Sequence, residues 1–319
     1  MSFVYVAVGL MLLLVAGDLL VRGAVSLGLR AGVPAVIVGL TIVAFGTSAP
    51  ELFVTVQAAL EGVPGLAVGN VIGSNIANVL LVLGLPALLA PMGDHSNETR
   101  RNYIIMMFVT IVSVALCLAG PLTWWQGALL LTMLGMFLFD TYRSTMVARA
   151  KGCDEPSFDE LDDADPEMPG WKVASLIILG VVGLPAGAGL AIEGAREIAY
   201  AYGVSDEAIG LTLIALGTSL PELATTVMAA VRRRADVAIG NVIGSNLFNL
   251  MAILGVAASI GEITLPAEFL NLNLWVMVAA SAALAPFIFM RRDVGRLSGG
   301  LFVVAYVAYI ALVLNAPVI

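Results

Sequence analysis

Long apolar runs make up most of the chain, and short polar or turn-forming segments separate them. Each run is long enough to cross a bilayer as a helix, which needs roughly 20 apolar residues. The runs are continuous, without the alternation of membrane β-strands. The pattern predicts an all-α polytopic membrane protein with ten transmembrane helices, at 4–28, 34–60, 66–89, 103–119, 123–142, 172–198, 206–231, 236–260, 271–290 and 297–315.

Composition and charge support this class. Of the 319 residues, 60% are hydrophobic and 12% are charged, whereas a soluble domain has about 25% charged residues. The formal net charge of −8 argues against nucleic acid as a partner. Thirteen of the 15 Lys and Arg residues fall in loops on one face of the predicted helices. The positive-inside rule makes that face cytoplasmic, so both termini are predicted to be extracellular, in a multi-pass protein of the cell membrane.

The sequence contains an internal repeat. VAFGTSAPEL at 43–52 reappears as IALGTSLPEL at 214–223, and GNVIGSN at 69–75 reappears at 240–246, with a constant offset of 171 residues. The repeated unit is five predicted helices. Because five is odd, the second copy enters the membrane from the opposite side, and we expect two inverted five-helix repeats.

The repeat predicts three parts of the chain: a first five-helix repeat at 1–149, an acidic cytoplasmic linker at 150–171 and a second five-helix repeat at 172–319. The linker contains eight Asp and Glu residues. Its composition is typical of a flexible connection. A weak regulatory cation site in the linker is the alternative, although the ligand spacing of an EF-hand loop is missing.

The first repeated motif predicts a broken helix at membrane depth in each half. Pro50 and Pro221 remove backbone donors, which frees carbonyl groups one turn earlier, around 44–46 and 215–217. Freed carbonyls in lipid need partners, and a dehydrated cation is a suitable one. Hydroxyl groups lie beside these carbonyls, on Thr47, Ser48, Thr218 and Ser219.

Glu51 and Glu222 are the most informative residues of the motif. A charged side chain at the centre of a membrane helix costs ~2.5–3.5 kcal/mol, so two in repeat-related positions indicate a compensating function. Oxygen ligands alone suit Ca²⁺ or Na⁺, and the lone His95 lies in a loop. The sequence therefore predicts a cation site, with a protonated buried acid as the alternative for each Glu.

The second motif adds further oxygen atoms. Ser74 and Ser245 can reach a cation, and Asn78 and Asn249 follow them by four residues on the same helix face. We expect these two amides to be ligands. Four other amides are expected mainly to cap or bind freed backbone, namely Asn70, Asn75, Asn241 and Asn246.

Together, the two GTS-x-PEL motifs, each followed by GNVIGSN, resemble the alpha repeats of the sodium/calcium exchanger family, within the cation/calcium antiporter superfamily. The resemblance covers essentially the whole chain as a ten-span prokaryotic-type member. It implies four cation positions near the membrane midplane, one for Ca²⁺ and the others for Na⁺. It also implies that Glu51 and Glu222 bridge these positions and that Thr47 and Thr218 offer backbone carbonyls to Ca²⁺.

The resemblance further implies outer Na⁺ positions, formed by Ala44, Ser48 and Ser74 in one half and by Ala215, Ser219 and Ser245 in the other. Asn78 matches the family amide, whereas well-known exchangers have Asp where this chain has Asn249. The implied function is antiport of Na⁺ against Ca²⁺, with Ca²⁺ extrusion driven by Na⁺ entry. The partners are then these ions and the lipid bilayer.

Two other functions stay open at this stage: a Ca²⁺/H⁺ antiporter, because buried Glu pairs can carry protons, and a passive cation channel. A channel usually needs a ring of ligands from several subunits. The sequence gives no indication of an enzyme, a cofactor or an obligatory protein partner.

Overall fold

The computed structural model describes residues 2–33, 35–150, 168–201, 215–265 and 272–315. Apart from two isolated β-bridges, the regular structure of these residues is helical. The α-helices are α1 (Ser2–Ala31), α2 (Ala35–Val38), α3 (Ala44–Thr47), α4 (Ala49–Leu60), α5 (Pro64–Ala77), α6 (Gly84–Leu89), α7 (Asn97–Leu118), α8 (Trp124–Ala150), α9 (Gly170–Ala201), α10 (Ala215–Thr218), α11 (Leu220–Val231), α12 (Ala235–Phe248), α13 (Leu254–Ile260), α14 (Leu274–Ala283), α15 (Ala285–Phe289) and α16 (Arg296–Asn315).

Three short π-helical segments join α-helices into longer rods. Gly39–Val43 joins α2 to α3, Asn78–Leu83 joins α5 to α6, and Asn249–Ile253 joins α12 to α13. The latter two begin at Asn residues that the internal repeat relates to each other. π-Helical turns interrupt the regular hydrogen bonding of an α-helix and are frequent at functional sites.

Six helical rods in the described part of the chain are long and apolar enough to cross a membrane: Ser2–Ala31, Pro64–Leu89, Asn97–Leu118, Gly170–Ala201, Ala235–Ile260 and Arg296–Val313. A bent pair, Gly39–Thr47 with Ala49–Leu60, makes a seventh if it is counted as one span. The predicted all-α, multi-pass membrane class is therefore confirmed. The count of ten crossings, their inversion, the three-part division and the orientation of the termini stay predictions. Most of the acidic linker lies outside the described residues, as does the start of the predicted helix at 206–231.

The centre of the molecule is formed by the two rods that carry the second motif, Pro64–Leu89 and Ala235–Ile260, which are the most buried of the six. Close backbone contact holds the motif helices together. A Cβ atom added to Gly244 would lie 2.3 Å from the carbonyl oxygen of Leu40, so only glycine permits this crossing. Around this centre, exposed apolar side chains such as Phe3, Met11 and Leu301 form a lipid-compatible surface.

Candidate cation-binding site

A break in the helix places the first motif at the centre of the protein. α3 ends at Thr47, Ser48 leaves the helical conformation with φ −81° and ψ 7°, and α4 begins at Ala49. The segments before and after the break differ in direction by 50°. The expected break beside Pro50 is therefore present. The second half repeats it at Ser219, with φ −86° and ψ 2°, between α10 and α11.

Both glutamates sit in the first turn of the helix that follows the break. Glu51 and Glu222 are each only 1% exposed, and Ser48, three residues before Glu51, bonds the Glu222 carboxyl group at 3.0 Å. No ion pair joins either to a basic residue within the described part of the chain. Two neighbouring buried carboxylates without a positive partner are unfavourable. A bound cation would supply the missing charge.

The hydroxyl groups of the motif surround this pair unequally. Ser48 Oγ donates a hydrogen bond to Glu222 Oε1 at 3.0 Å, which joins the two halves. Its counterpart Ser219 is buried, and its Oγ has no hydrogen-bond partner. Thr47 Oγ1 donates to the carbonyl of Ala44, whereas Thr218 Oγ1 donates across the halves to Asn70 Oδ1 at 3.2 Å.

Ala44 and Ala215 are the two alanines predicted to offer carbonyl oxygens to Na⁺. The Ala44 carbonyl accepts two hydrogen bonds, from the Ser48 amide at 3.0 Å and from Thr47 Oγ1 at 3.2 Å. A cation bound to this carbonyl must therefore share the oxygen with these two donors. Ala215 is the first residue of α10. Its backbone is described and its side chain is not.

The second motif brings two serines and two amides to the same region. Ser74, Ser245, Asn78 and Asn249 are all buried, on helices that contact the segments carrying Glu51 and Glu222. Ser74 Oγ, Ser245 Oγ and Asn78 Oδ1 have no partner, and neither polar atom of Asn249 has one. Buried polar atoms are normally paired, so such a concentration of unpaired oxygens needs an explanation.

The unpaired oxygens are of one chemical kind. Carboxylate, hydroxyl and amide oxygens are ligands for hard cations such as Ca²⁺. Both oxygens of Glu51 and Oε2 of Glu222 belong to the set. Among the described residues, no group of three or more His, Cys, Asp and Glu side chains gathers around a possible metal position. The arrangement thus offers two negative charges and several neutral oxygens.

Three supporting threonines, Thr55, Thr225 and Thr226, were not singled out by the sequence pattern. Asn70 Nδ2 donates to the carbonyl of Glu51 at 3.1 Å and to Thr55 Oγ1 at 2.8 Å, which fastens the start of α4. In the other half, Asn241 Nδ2 donates to the hydroxyls of Thr225 and Thr226. Thr55 follows Glu51 by four residues, and Thr226 follows Glu222 by four residues. Each threonine therefore lies on the same helix face as its glutamate, and this spacing could have identified both.

The four motif asparagines thus divide by role. Asn70 and Asn75 bind backbone carbonyls, as expected, with Asn75 Nδ2 donating to Val71 at 2.7 Å. Asn241 and Asn246 instead contact side chains. Elsewhere on α1, Asp18 forms ion pairs with Arg22, at 3.9 Å, and with Arg232.

Buried, unpaired oxygen atoms beside broken helices, inside a multi-pass helical protein, are typical of a membrane transporter of cations. Comparison with known proteins agrees: a family model described as "Sodium/calcium exchanger protein" matches residues 1–142 and 172–315. The chain belongs to the sodium/calcium exchanger family. It is accordingly a cation/calcium antiporter and not an enzyme.

Relatives resemble the chain along nearly its whole length. A putative antiporter, CaxA of Alkalimonas amylolytica, is 38% identical over 96% of each chain. The sodium/calcium exchanger MaX1 of Methanosarcina acetivorans is 30% identical over 97% of each chain. A solved structure of the sodium-calcium exchanger NCX_Mj, soaked with zero Na⁺ and Ca²⁺, is 31% identical over 98% of each chain, with a TM-score of 0.83.

Proposed function

We propose that the protein exchanges Na⁺ for Ca²⁺ across the cell membrane and extrudes Ca²⁺ at the expense of Na⁺ entry. The observation that carries the proposal is the buried pair Glu51 and Glu222, with unpaired oxygen atoms around it and no basic partner among the described residues. The names of MaX1 and NCX_Mj, both sodium/calcium exchangers, support the choice of ions.

In the proposed site, Glu51 and Glu222 bind both kinds of ion. The backbone carbonyls of Thr47 and Thr218 complete a Ca²⁺ position between them. Asn78 and Asn249 contribute amide oxygens to a central position. The outer Na⁺ positions use Ala44, Ser48 and Ser74 in the first half and Ala215, Ser219 and Ser245 in the second.

Competition for the two carboxylates produces the coupling. One Ca²⁺ neutralises two negative charges, and so do two Na⁺, but the two loads cannot occupy the same carboxylates together. Only a charge-compensated site can be carried through a low-dielectric barrier, because an uncompensated buried charge is costly. The empty protein therefore does not cycle, and each ion must leave before the other is bound.

Alternating access would use the inverted repeats. We propose ten crossings, with repeats at 1–149 and 172–319 joined by a cytoplasmic linker at 150–171, and both termini extracellular. Transporters of this design hold the substrate at the midplane, at the repeat interface, on broken helices. The hydrogen bonds from Ser48 to Glu222 and from Thr218 to Asn70 cross between the two repeats and are consistent with that arrangement.

The test is Ca²⁺ uptake into Na⁺-loaded proteoliposomes that are diluted into Na⁺-free buffer. We expect uptake that requires internal Na⁺ and falls by at least about 100-fold in Glu51→Gln, because one of two charges facing a divalent ion is lost. Glu61→Gln is the matched control: Glu61 is exposed and bonds Gln57 at the far end of the same helix.

Other outcomes would identify the alternatives. Uptake driven by a pH gradient without Na⁺ would indicate a Ca²⁺/H⁺ antiporter. Dissipation of a Ca²⁺ gradient with no counter-ion at all would indicate a channel. Either result contradicts the proposal.

A further inference from the structure

A chain of buried side chains fixes the direction of the Asn78 amide. Asn78 Nδ2 donates to Asn246 Oδ1 at 3.1 Å, and Asn246 Nδ2 in turn contacts Met106 Sδ at 3.7 Å. Asn78 and Asn246 are each 1% exposed, and Met106 is fully buried. The chain connects α7 through α12 to the start of the π-helical segment Asn78–Leu83.

The direction of an amide matters beside a cation. One end carries an acceptor oxygen and the other carries two N–H donors. Because Asn246 holds the NH₂ group of Asn78, the group left over is Oδ1, which is buried and has no hydrogen-bond partner. A rotated Asn78 would present its positive N–H groups instead and would repel a cation.

We infer that Asn246 is a positioning residue, which acts on the transported ion through Asn78 without being a ligand itself. Both polar groups of Asn246 are engaged, the oxygen by Asn78 and the nitrogen by Met106. It therefore has the role of the outer-shell partners that orient metal ligands in other proteins. The inference rests on the proposed role of Asn78 as a ligand.

The internal repeat shows that this relay is specific to one half in the described state. The offset of 171 residues relates Asn246 to Asn75 and Asn78 to Asn249. Asn75 Nδ2 binds the Val71 carbonyl, its Oδ1 has no partner, and both polar atoms of Asn249 lack partners. The equivalent amide pair is thus not made, although the helix with Asn75 contacts the segment that begins at Asn249.

The test is a double-mutant cycle on Na⁺-driven Ca²⁺ uptake, with KM and maximal rate measured separately. Asn246→Ala is expected to raise the KM for Ca²⁺ roughly tenfold, as loss of an outer-shell partner does. Asn78→Ala should raise KM at least as much. The double variant should match Asn78→Ala alone, because coupled residues are not additive.

Rescue distinguishes positioning from a general structural role. Asn246→Asp keeps an acceptor for the Asn78 amide and is expected to restore a KM at or below that of the wild type. Asn273→Ala is the control, since Asn273 is also a buried amide that accepts a hydrogen bond, from Tyr309, and neither residue is among the proposed ligands. Alone, Asn273→Ala should leave the KM for Ca²⁺ at the wild-type value. Combined with Asn78→Ala, it should leave the KM at the value of the Asn78→Ala variant.

Three results would overturn the inference. The first is an Asn78/Asn246 double variant whose KM rises by the product of the two single effects. The second is an Asn246→Asp variant as impaired as Asn246→Ala. The third is an unchanged KM in Asn78→Ala, which also removes Asn78 from the proposed ligands. Loss of Na⁺ dependence in the wild type would instead contradict the proposed function itself.

Discussion

Asn249 is a residue at which this chain departs from the motif of the family that it resembles, where the resemblance implies Asp. It is fully buried at the start of a π-helical segment, and neither its oxygen nor its nitrogen has a hydrogen-bond partner. An amide supplies a neutral oxygen where a carboxylate would supply a charge. The site that we propose then has the two charges of Glu51 and Glu222, which would balance one Ca²⁺ or two Na⁺.

Exchange by the wild-type protein is therefore expected to be electroneutral. Ca²⁺ uptake in Na⁺-loaded vesicles should keep the same rate when potassium and valinomycin set the membrane potential at 0 or −100 mV. Asn249→Asp adds a third charge and should make uptake sensitive to the potential. One net charge per cycle is worth ~2.3 kcal/mol at 100 mV, which is roughly a 50-fold change in the limiting Ca²⁺ gradient. A wild-type rate that follows the potential would contradict the two-charge account.

At the scale of helices, the sequence pattern predicted the main segments and the breaks in them. Pro50 and Pro221, with the Gly and hydroxyl residues around them, carry enough backbone chemistry to predict a break at membrane depth. The π-helical segments could not be predicted in this way. A continuous apolar run has the same hydropathy in an α-helix and in a π-helix, so nothing in the run reveals the change at Asn78 or Asn249.

The tertiary contacts of the site were also beyond prediction. Asn70 bonds Thr55 on the preceding helix and Thr218 in the other half of the chain, and sequence spacing does not encode such contacts. The repeat nevertheless identified which polar residues occur in pairs. Duplication limits the candidates because a chance polar residue in one half has no counterpart in the other.

The close crossing at Gly244 gives a prediction about stability. Gly244→Ala would place its Cβ atom 2.3 Å from the Leu40 carbonyl and 2.8 Å from Ala44 Cβ, so α12 must move away from the broken helix. We expect a loss of about 1–3 kcal/mol, as for other overpacked cores, seen as a lower unfolding temperature in detergent. Gly135→Ala is the control, because Gly135 is exposed on α8 with no described atom within 4 Å of the added carbon. Equal unfolding temperatures for the two variants would count against this packing.

At the scale of the whole molecule, α1 and α9 form a tightly packed pair at one side of the helices. A Cβ atom on Gly9 would lie 2.5 Å from the backbone nitrogen of Ala191, and one on Gly187 would lie 2.9 Å from that of Leu13. α1 also forms an ion pair with the end of α11, between Asp18 and Arg232. We expect α1 and α9 to slide together across the remaining helices during alternating access.

Cross-linking tests this movement, in a protein whose two native cysteines, Cys117 and Cys153, are replaced by Ser. A short, reducible thiol cross-linker between Ser2→Cys and Glu197→Cys joins α1 to α9, where Ser2 Oγ donates a hydrogen bond to Glu197 Oε2 at 2.5 Å, and exchange should persist. A bridge between Asp18→Cys and Arg232→Cys joins α1 to the core and should stop exchange until it is reduced. Unimpaired exchange with the second bridge closed would show that α1 does not move against α11.

The central claim, that one buried site binds either Ca²⁺ or Na⁺ through Glu51 and Glu222, is tested most directly by equilibrium Ca²⁺ binding to the purified protein. We predict one Ca²⁺ bound per chain, displaced by Na⁺ but not by K⁺, and lost in both Glu51→Gln and Glu222→Gln. Ca²⁺ binding that is indifferent to Na⁺, or that survives in either variant, would contradict the account.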